Sequence, residues 1–242
     1  MSSKNIIALI VIPSCVNVAS TELSSLSSQF ISSLINVCGA NNTISLKKVT
    51  VSAFFISSPF SSFYPAAKSN HHSIKGGLLY HLVRMLRLGE KISQIYENVN
   101  TDLIYAGILL HDICKTEEMD SNEMGIVSDY TRDGKLLGHI TMGVIEVEKA
   151  ADKHNINDEV KVVLQHMILS HHYFPEFGSP KKPMILEAEL LHYIDIIDAR
   201  VYDFQDGLKN VENGEFSDRI WTLDNISIYN REFDKKDIEP EE

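Results

Sequence analysis

The residues of this sequence best suited to chemistry are histidines and aspartates spread along the chain: His81, the pair His111-Asp112, His139, the pair His171-His172, and Asp195. Each alone has an ordinary reading. A histidine on an apolar stripe is usually a core residue hydrogen-bonded to a carbonyl, and a His-Asp pair at a helix end can answer the dipole and start a turn. Together they place five imidazoles and two carboxylates on separate helices or helix ends, several on core-facing stripes. Buried groups of this kind must be satisfied, and hydrogen bonds alone would need a crowded polar network. Two divalent metal ions satisfy them directly, because imidazole suits first-row transition metals and a shared carboxylate, Asp112, can bridge two ions. Ligands of nitrogen and oxygen only favour manganese, iron or nickel over a zinc held by thiolates.

Helices must carry this set. Leu103 to Leu110 is a continuous apolar run that delivers His111-Asp112 at its end, with Thr101 or Asp102 as the expected N-cap. Ile74, Leu78, Leu82, Met85, Leu88 and Ile92 form a helical stripe with His81 on it. His139 falls in a helix over 136–152 that Asn155 closes, and a helix over 160–170 runs into His171-His172. A last helix, about Met184 to Leu208 with Pro183 at its start, sets Leu191, Asp195 and Asp198 on one face. Between 116 and 134 the chain is acidic and reads as a hairpin or ordered loop, with Asp133-Gly134 as its strongest turn signal. Near the N-terminus, Thr21 to Val37 reads as an amphipathic helix and Ile44 to Ile56 as helix or strand. The tail from Lys235 is charged and expected to fray.

The 242 residues suffice for one large domain, or a domain with a small appendage. The net charge of −11 is uneven: residues 1–70 carry a net +3, so the remainder holds −14. That balance argues against wide, nonspecific contact with nucleic-acid phosphates, although metal ions could supply positive charge in a narrow site. Cys15, Cys38 and Cys114 have no regular spacing, which gives no disulfide framework and suits a reducing, cytoplasmic compartment. Ile6 to Ile12 faintly resembles a short secretory signal, but reads better as a strand or buried segment. No stretch is long enough to span a membrane.

The ordered set His, His-Asp, His, His-His, Asp on helices resembles the HD-domain superfamily of metal-dependent phosphohydrolases. Several local stretches go further: Pro65 to His72, Gly76 to His81, Gly134 to His139, His166 to His172, Gly178 to Lys181, and Leu191 through Asp195 to Asp198-Ala199. They resemble the bacterial YhaM-type 3′–5′ exoribonucleases over roughly residues 55–230. The resemblance implies an all-α HD-type helical bundle with one small β-hairpin insertion over 61–242, and a mostly helical segment, 1–60, packed on it. It implies that His81, His111, Asp112 and Asp195 are the core metal ligands, and that His139, His171 and His172 complete a second metal position. It also matches Lys115 to a family lysine after the His-Asp pair, with Asp112 and Lys115 as the catalytic residues. Lys115 would hold a phosphate oxygen or assist the leaving group, or else only complement the helix dipole. Lys68, His71 and His72 would border the substrate channel, although the histidines could equally be caps, and His166 and Asp198 would lie near the substrate.

Two departures bear on function. Cys114 stands where the family often has glycine, which removes no ligand. The larger members carry an N-terminal OB-fold for single-stranded nucleic acid, and the first 60 residues here are too few for one. The expected activity is a metal-dependent phosphodiesterase acting as a 3′–5′ exonuclease on short single-stranded RNA or DNA. The alternatives are hydrolysis of small nucleotides (monophosphates or cyclic dinucleotides) and a non-catalytic nucleotide-binding regulatory module. A homo-oligomer is left open.

Overall fold

The computed structural model describes residues 76–122 and 126–233. The readings for the N-terminal segment with its boundary at 60, for Lys68, His71 and His72, and for the tail from Lys235 lie outside those residues.

The fold is mostly helical. Helix α1 (Gly77–Ile95) buries Leu78, His81, Leu82 and Met85 of the predicted stripe and adds Leu86, while Leu88 and Ile92 are half-buried and Ile74 lies outside the described residues. Helix α2 (Thr101–Leu110) is the central element, packed against α1 and two later helices, with Ile104, Ile108 and Leu110 fully enclosed. Its cap is Asn100, just before the expected Thr101 or Asp102. The Asn100 side chain accepts the N–H groups of Asp102 and Leu103 at 3.1 and 3.2 Å. Asp102 instead occupies the first turn, where its charge complements the dipole.

After a turn at 111–114 comes the short helix α3 (Lys115–Glu118), which leads into the hairpin of β1 (Met119–Ser121) and β2 (Val127–Tyr130). The expected hairpin is therefore present, but Asp133-Gly134 is not its turn. Both residues lie in the first turn of α4 (Arg132–His154), capped by Thr131, whose hydroxyl accepts the Gly134 N–H at 3.0 Å. Gly134 is required because a Cβ there would collide with the Glu118 carbonyl. The glycine marks close approach of two chain segments.

Asn155 ends α4 in the left-handed conformation, as its position in the sequence predicts. Helix α5 (Asp158–Ser170) follows, capped by Asn157, and a single 3₁₀ turn, Pro175–Phe177, crosses to the last helix. Helix α6 (Leu186–Gly207) begins later than Pro183-Met184 predicts, because the Met184 N–H is taken by His166 Nε2 at 2.9 Å and the chain stays non-helical to Ile185. Beyond α6, residues 208–233 form turns with two isolated β-bridges, Phe216 to Tyr229 and Ile220 to Ile226.

The core is one cluster drawn from α1, α2, α4, α5 and α6, with Met85, Ile104, Leu164, Met167, Leu191 and Ile194 fully buried. Burying side chains of this size contributes about 1.5–3 kcal/mol each relative to exposure. No helix among the described residues is long and apolar enough to cross a membrane.

Candidate metal centre

The helix ends and inner faces bring seven side chains together in two groups. His81, His111 and Asp195 form one; Asp112, His139, His171 and His172 form the other, and within each group the potential ligand atoms lie within 4.8 Å of one another. Asp112 stands between them. Its Oδ2 is 3.3 Å from His111 Nε2, while its Oδ1 is 3.4 Å from His139 Nε2 and 3.8 Å from His171 Nε2.

Five imidazoles are oriented by the same device. His111 Nδ1 lies 2.8 Å from the Ile108 carbonyl, His171 Nδ1 2.7 Å from that of Ile168, and His172 Nδ1 2.6 Å from that of Phe177. His139 Nδ1 faces the Glu118 carboxylate at 3.1 Å, and His81 Nδ1 faces Asp198 at 2.8 Å. A carbonyl or an ionised carboxylate can only accept, so the proton sits on Nδ1 in every case. In His111, His139, His171 and His172 this leaves Nε2 to offer a lone pair, whereas the His81 Nε2 faces Asp195. In His111, His139 and His171 that Nε2 is buried with no hydrogen-bond partner, and Asp112 Oδ1 is equally unpartnered. Four buried, unpartnered polar atoms pointing at one another would be costly in a hydrogen-bonded core. They are what a divalent cation needs, since bonds of about 2.0–2.2 Å to one ion set its ligands roughly 3–3.5 Å apart. The cluster can hold a metal.

Local structure explains how each of these side chains arrives. His111 and His171 both follow the last turn of a buried helix, each bonded to the carbonyl three residues back. His139 depends on a break: α4 is interrupted at Gly138, with φ 71° and ψ 156°, a conformation essentially confined to glycine. The helix restarts at His139, where Glu118 Oε1 accepts the backbone N–H at 3.0 Å as well as facing the ring. Asp195 and Asp198 are one turn apart on α6 and hold His81 from both sides, with His81 Nε2 3.2 Å from Asp195 Oδ1.

The electrostatics follow from burial and pairing. Burial opposes charge on His81, but hydrogen bonds to Asp195 and Asp198 outweigh it and push its pKa up to about 9. Burial would raise the pKa of Asp112, yet the charges of His111 and Lys115 hold it well below the usual carboxylate range. Asp195 is likewise lowered against burial, through its hydrogen bond to His81. His171 and His172 have no such partner, and burial lowers both. The Lys115 Nζ rests 2.7 Å from Asp112 Oδ2. It is turned onto the His-Asp pair, and it opens α3 instead of closing α2.

Two other expected site residues have different neighbours. Asp198 lies behind His81, where its second oxygen accepts from Arg84 Nε at 2.5 Å. His166 is half-buried and accepts the Met184 N–H, which fixes the approach to α6. Sequence reasoning missed Glu118, Arg84, Ser179 and His192. Arg84 had a signal, its place one turn after His81. Glu118 had none, being 21 residues from the histidine it holds. Ser179 is fully buried and accepts the His172 N–H at 3.0 Å, and His192 donates from Nδ1 to the His171 carbonyl at 2.7 Å.

Comparison with known proteins places this geometry. The chain is 46% identical over 172 residues to a 3′-5′ exoribonuclease YhaM of Bacillus licheniformis, 49% over 166 residues to one of a Geobacillus species, and 45% over 172 residues to one of Bacillus subtilis. These matches take in 71, 69 and 71% of this chain, and 54, 50 and 54% of the relatives, so the chain spans about half the length of the curated relatives it matches. No solved structure matches. The model of the HD domain matches residues 78–200, which run from α1 through Asp195 and Asp198, and the chain belongs to the HD-domain family.

Proposed function

We propose that this protein is a metal-dependent phosphodiesterase that removes nucleotides from the 3′ end of short single-stranded RNA or DNA. The observation that carries this reading is the set of Nε2 atoms and the Asp112 oxygen left unpartnered around one buried carboxylate, with a lysine beside it. The relatives are named 3′-5′ exoribonucleases, which supports the direction and the polymer. His81, His111 and Asp195 would hold one divalent ion and His139, His171 and His172 a second, with Asp112 shared; manganese, iron or nickel suits these donors. Bound there, such ions neutralise phosphate charge and make water a nucleophile near neutral pH.

The chain's own residues do the rest. Asp112 is kept ionised, with an oxygen toward each group. Glu118, Asp198 and the carbonyls of Ile108, Ile168 and Phe177 fix the imidazole tautomers before substrate arrives. Lys115 presents its ammonium beside Asp112, where it donates to a phosphate oxygen as negative charge builds in the transition state. Small nucleotides are the second reading, favoured by the acidity of the chain beyond residue 70. The test is metal analysis of protein purified without chelator, followed by turnover of short RNA, short DNA, nucleoside monophosphates and cyclic dinucleotides. Release of nucleoside monophosphates from the 3′ ends of oligomers is the expected result. Turnover of monophosphates alone would overturn the exonuclease reading.

A further inference from the structure

The segment after His171-His172 is rich in aromatic residues that the described fold leaves uncovered. Phe177 is 67% exposed and Phe174 45%, and their rings meet edge to face at 6.2 Å. Tyr173 tilts against Phe174 at 4.9 Å, and the Lys182 Nζ lies over the rings of Tyr173 and Phe174 at 4.9 and 5.8 Å. Exposed aromatic rings next to a lysine suit the base and phosphate of a nucleotide better than they suit water.

The loop is held firmly and tied to the metal centre. The N–H groups of Phe177 and Ser179 both donate to the Phe174 carbonyl, at 3.0 and 3.2 Å, and the Gly178 N–H donates to Pro175 at 2.9 Å. Ser179, fully buried, anchors the His172 backbone. The carbonyl of Phe177 receives the His172 Nδ1–H at 2.6 Å, and the His172 ring is 4.1 Å from that of His171 and 5.3 Å from that of His139. The residue bearing the most exposed ring of the loop is thus directly bonded to a candidate ligand. The backbone that carries this ring is held in place before a base arrives.

We infer that residues 173–182 form a nucleobase platform, on which the 3′-terminal base of a single-stranded oligonucleotide stacks against Phe177, with Phe174 at its edge and Lys182 toward the neighbouring phosphate. This rests on the phosphodiesterase reading for its substrate class, but it makes a separate claim. The contact uses the face of the base and no hydrogen-bond code, so the platform accepts all bases and favours purines, whose stacking area is larger.

The experiment uses the full chain as purified and a tetranucleotide with 2-aminopurine at its 3′ end and phosphorothioate linkages to slow cleavage. Stacking on Phe177 quenches the 2-aminopurine emission. Phe177→Ala should abolish the quench and weaken binding about tenfold, whereas Phe177→Trp should keep both. The exposure of the ring and the backbone nature of the His172 contact leave the fold and the centre intact in both variants, which equal metal content and far-UV circular dichroism would check. A quench that persists in Phe177→Ala, or is absent from the native protein, overturns the platform. A quench lost in Phe177→Ala while unmodified oligomers go uncleaved would instead sustain the platform and sink the phosphodiesterase reading.

Discussion

Glu118 holds His139 twice: its Oε1 accepts the backbone N–H at 3.0 Å and faces the ring Nδ1 at 3.1 Å. The first contact caps the helix restarted after Gly138, and the second decides which ring nitrogen is free. Glu118→Ala removes both, and should lower affinity at the His139 position by about 10- to 100-fold, the usual effect of losing a ligand's supporting partner. Glu118→Gln retains an oxygen acceptor and should fall between Ala and the native protein. Metal titration of the three proteins checks this; equal affinities would show that Glu118 only shapes the hairpin.

Lys115 and Asp112 form a pair in which Asp112 has further candidate partners and Lys115 depends on Asp112. Asp112→Ala should abolish hydrolysis, and it also strands the lysine ammonium beside several imidazoles, so metal-free protein should lose stability as well. Lys115→Ala should retain metal and lower kcat by about 10²- to 10³-fold, the loss typical of one donor aimed at transition-state charge. Metal content and kcat measured on the same preparations separate the roles. Parallel loss of metal in both variants would make Lys115 a support for Asp112 alone.

The ligands predict a bounded pH range for chelator-treated protein. His81 has a pKa raised from 6.5 to about 9, so its contribution is complete below about pH 6.5 and disappears as pH climbs through about 9. His171 and His172 are lowered, so unfolding takes up their protons first, and their contribution is present above about pH 6.5 and lost below it. The carboxylates Asp112 and Asp195, also lowered, add further loss as pH falls below about 4. Thermal midpoints of metal-free protein should therefore peak at about pH 6.5, fall steadily toward about pH 9, and fall again on the acid side. A midpoint unchanged from pH 7 to 10 would contradict the assignment for His81.

The cluster was legible because histidines and aspartates are chemically expensive to bury, so each histidine on an apolar stripe stood out. Helix existence was legible for the same reason that α1 and α2 fold: long apolar periodicity. The errors were local. Asp133-Gly134 has the composition of a hairpin turn, but the glycine is there to clear the Glu118 carbonyl. Pro183 looked like a helix start, but His166 captures the next N–H from another helix. Glu118 and His192 act through contacts 21 residues away in sequence, and no local pattern encodes such a contact. What escaped the sequence is chiefly the layer that orients the ligands.

The charge of the chain limits how much a longer substrate can gain. Each phosphate that a lysine or arginine contacts adds a salt-dependent increment to affinity. Among the described residues, Lys115 beside the centre is already paired with Asp112, Arg84 behind His81 is taken by Asp198, and Lys181 and Lys182 belong to the aromatic loop. The chain beyond residue 70 is strongly acidic, so phosphates further along a strand meet repulsion where an extended nuclease groove would attract them. Catalytic efficiency, kcat/KM, should therefore rise from a dinucleotide, level off at about two to four nucleotides, and change little with salt beyond that length. A length series of RNA and DNA oligomers with manganese at low and moderate salt makes the measurement. Activity that keeps climbing with length and collapses with added salt would require a basic groove elsewhere, supplied by residues 1–75 or by a second chain.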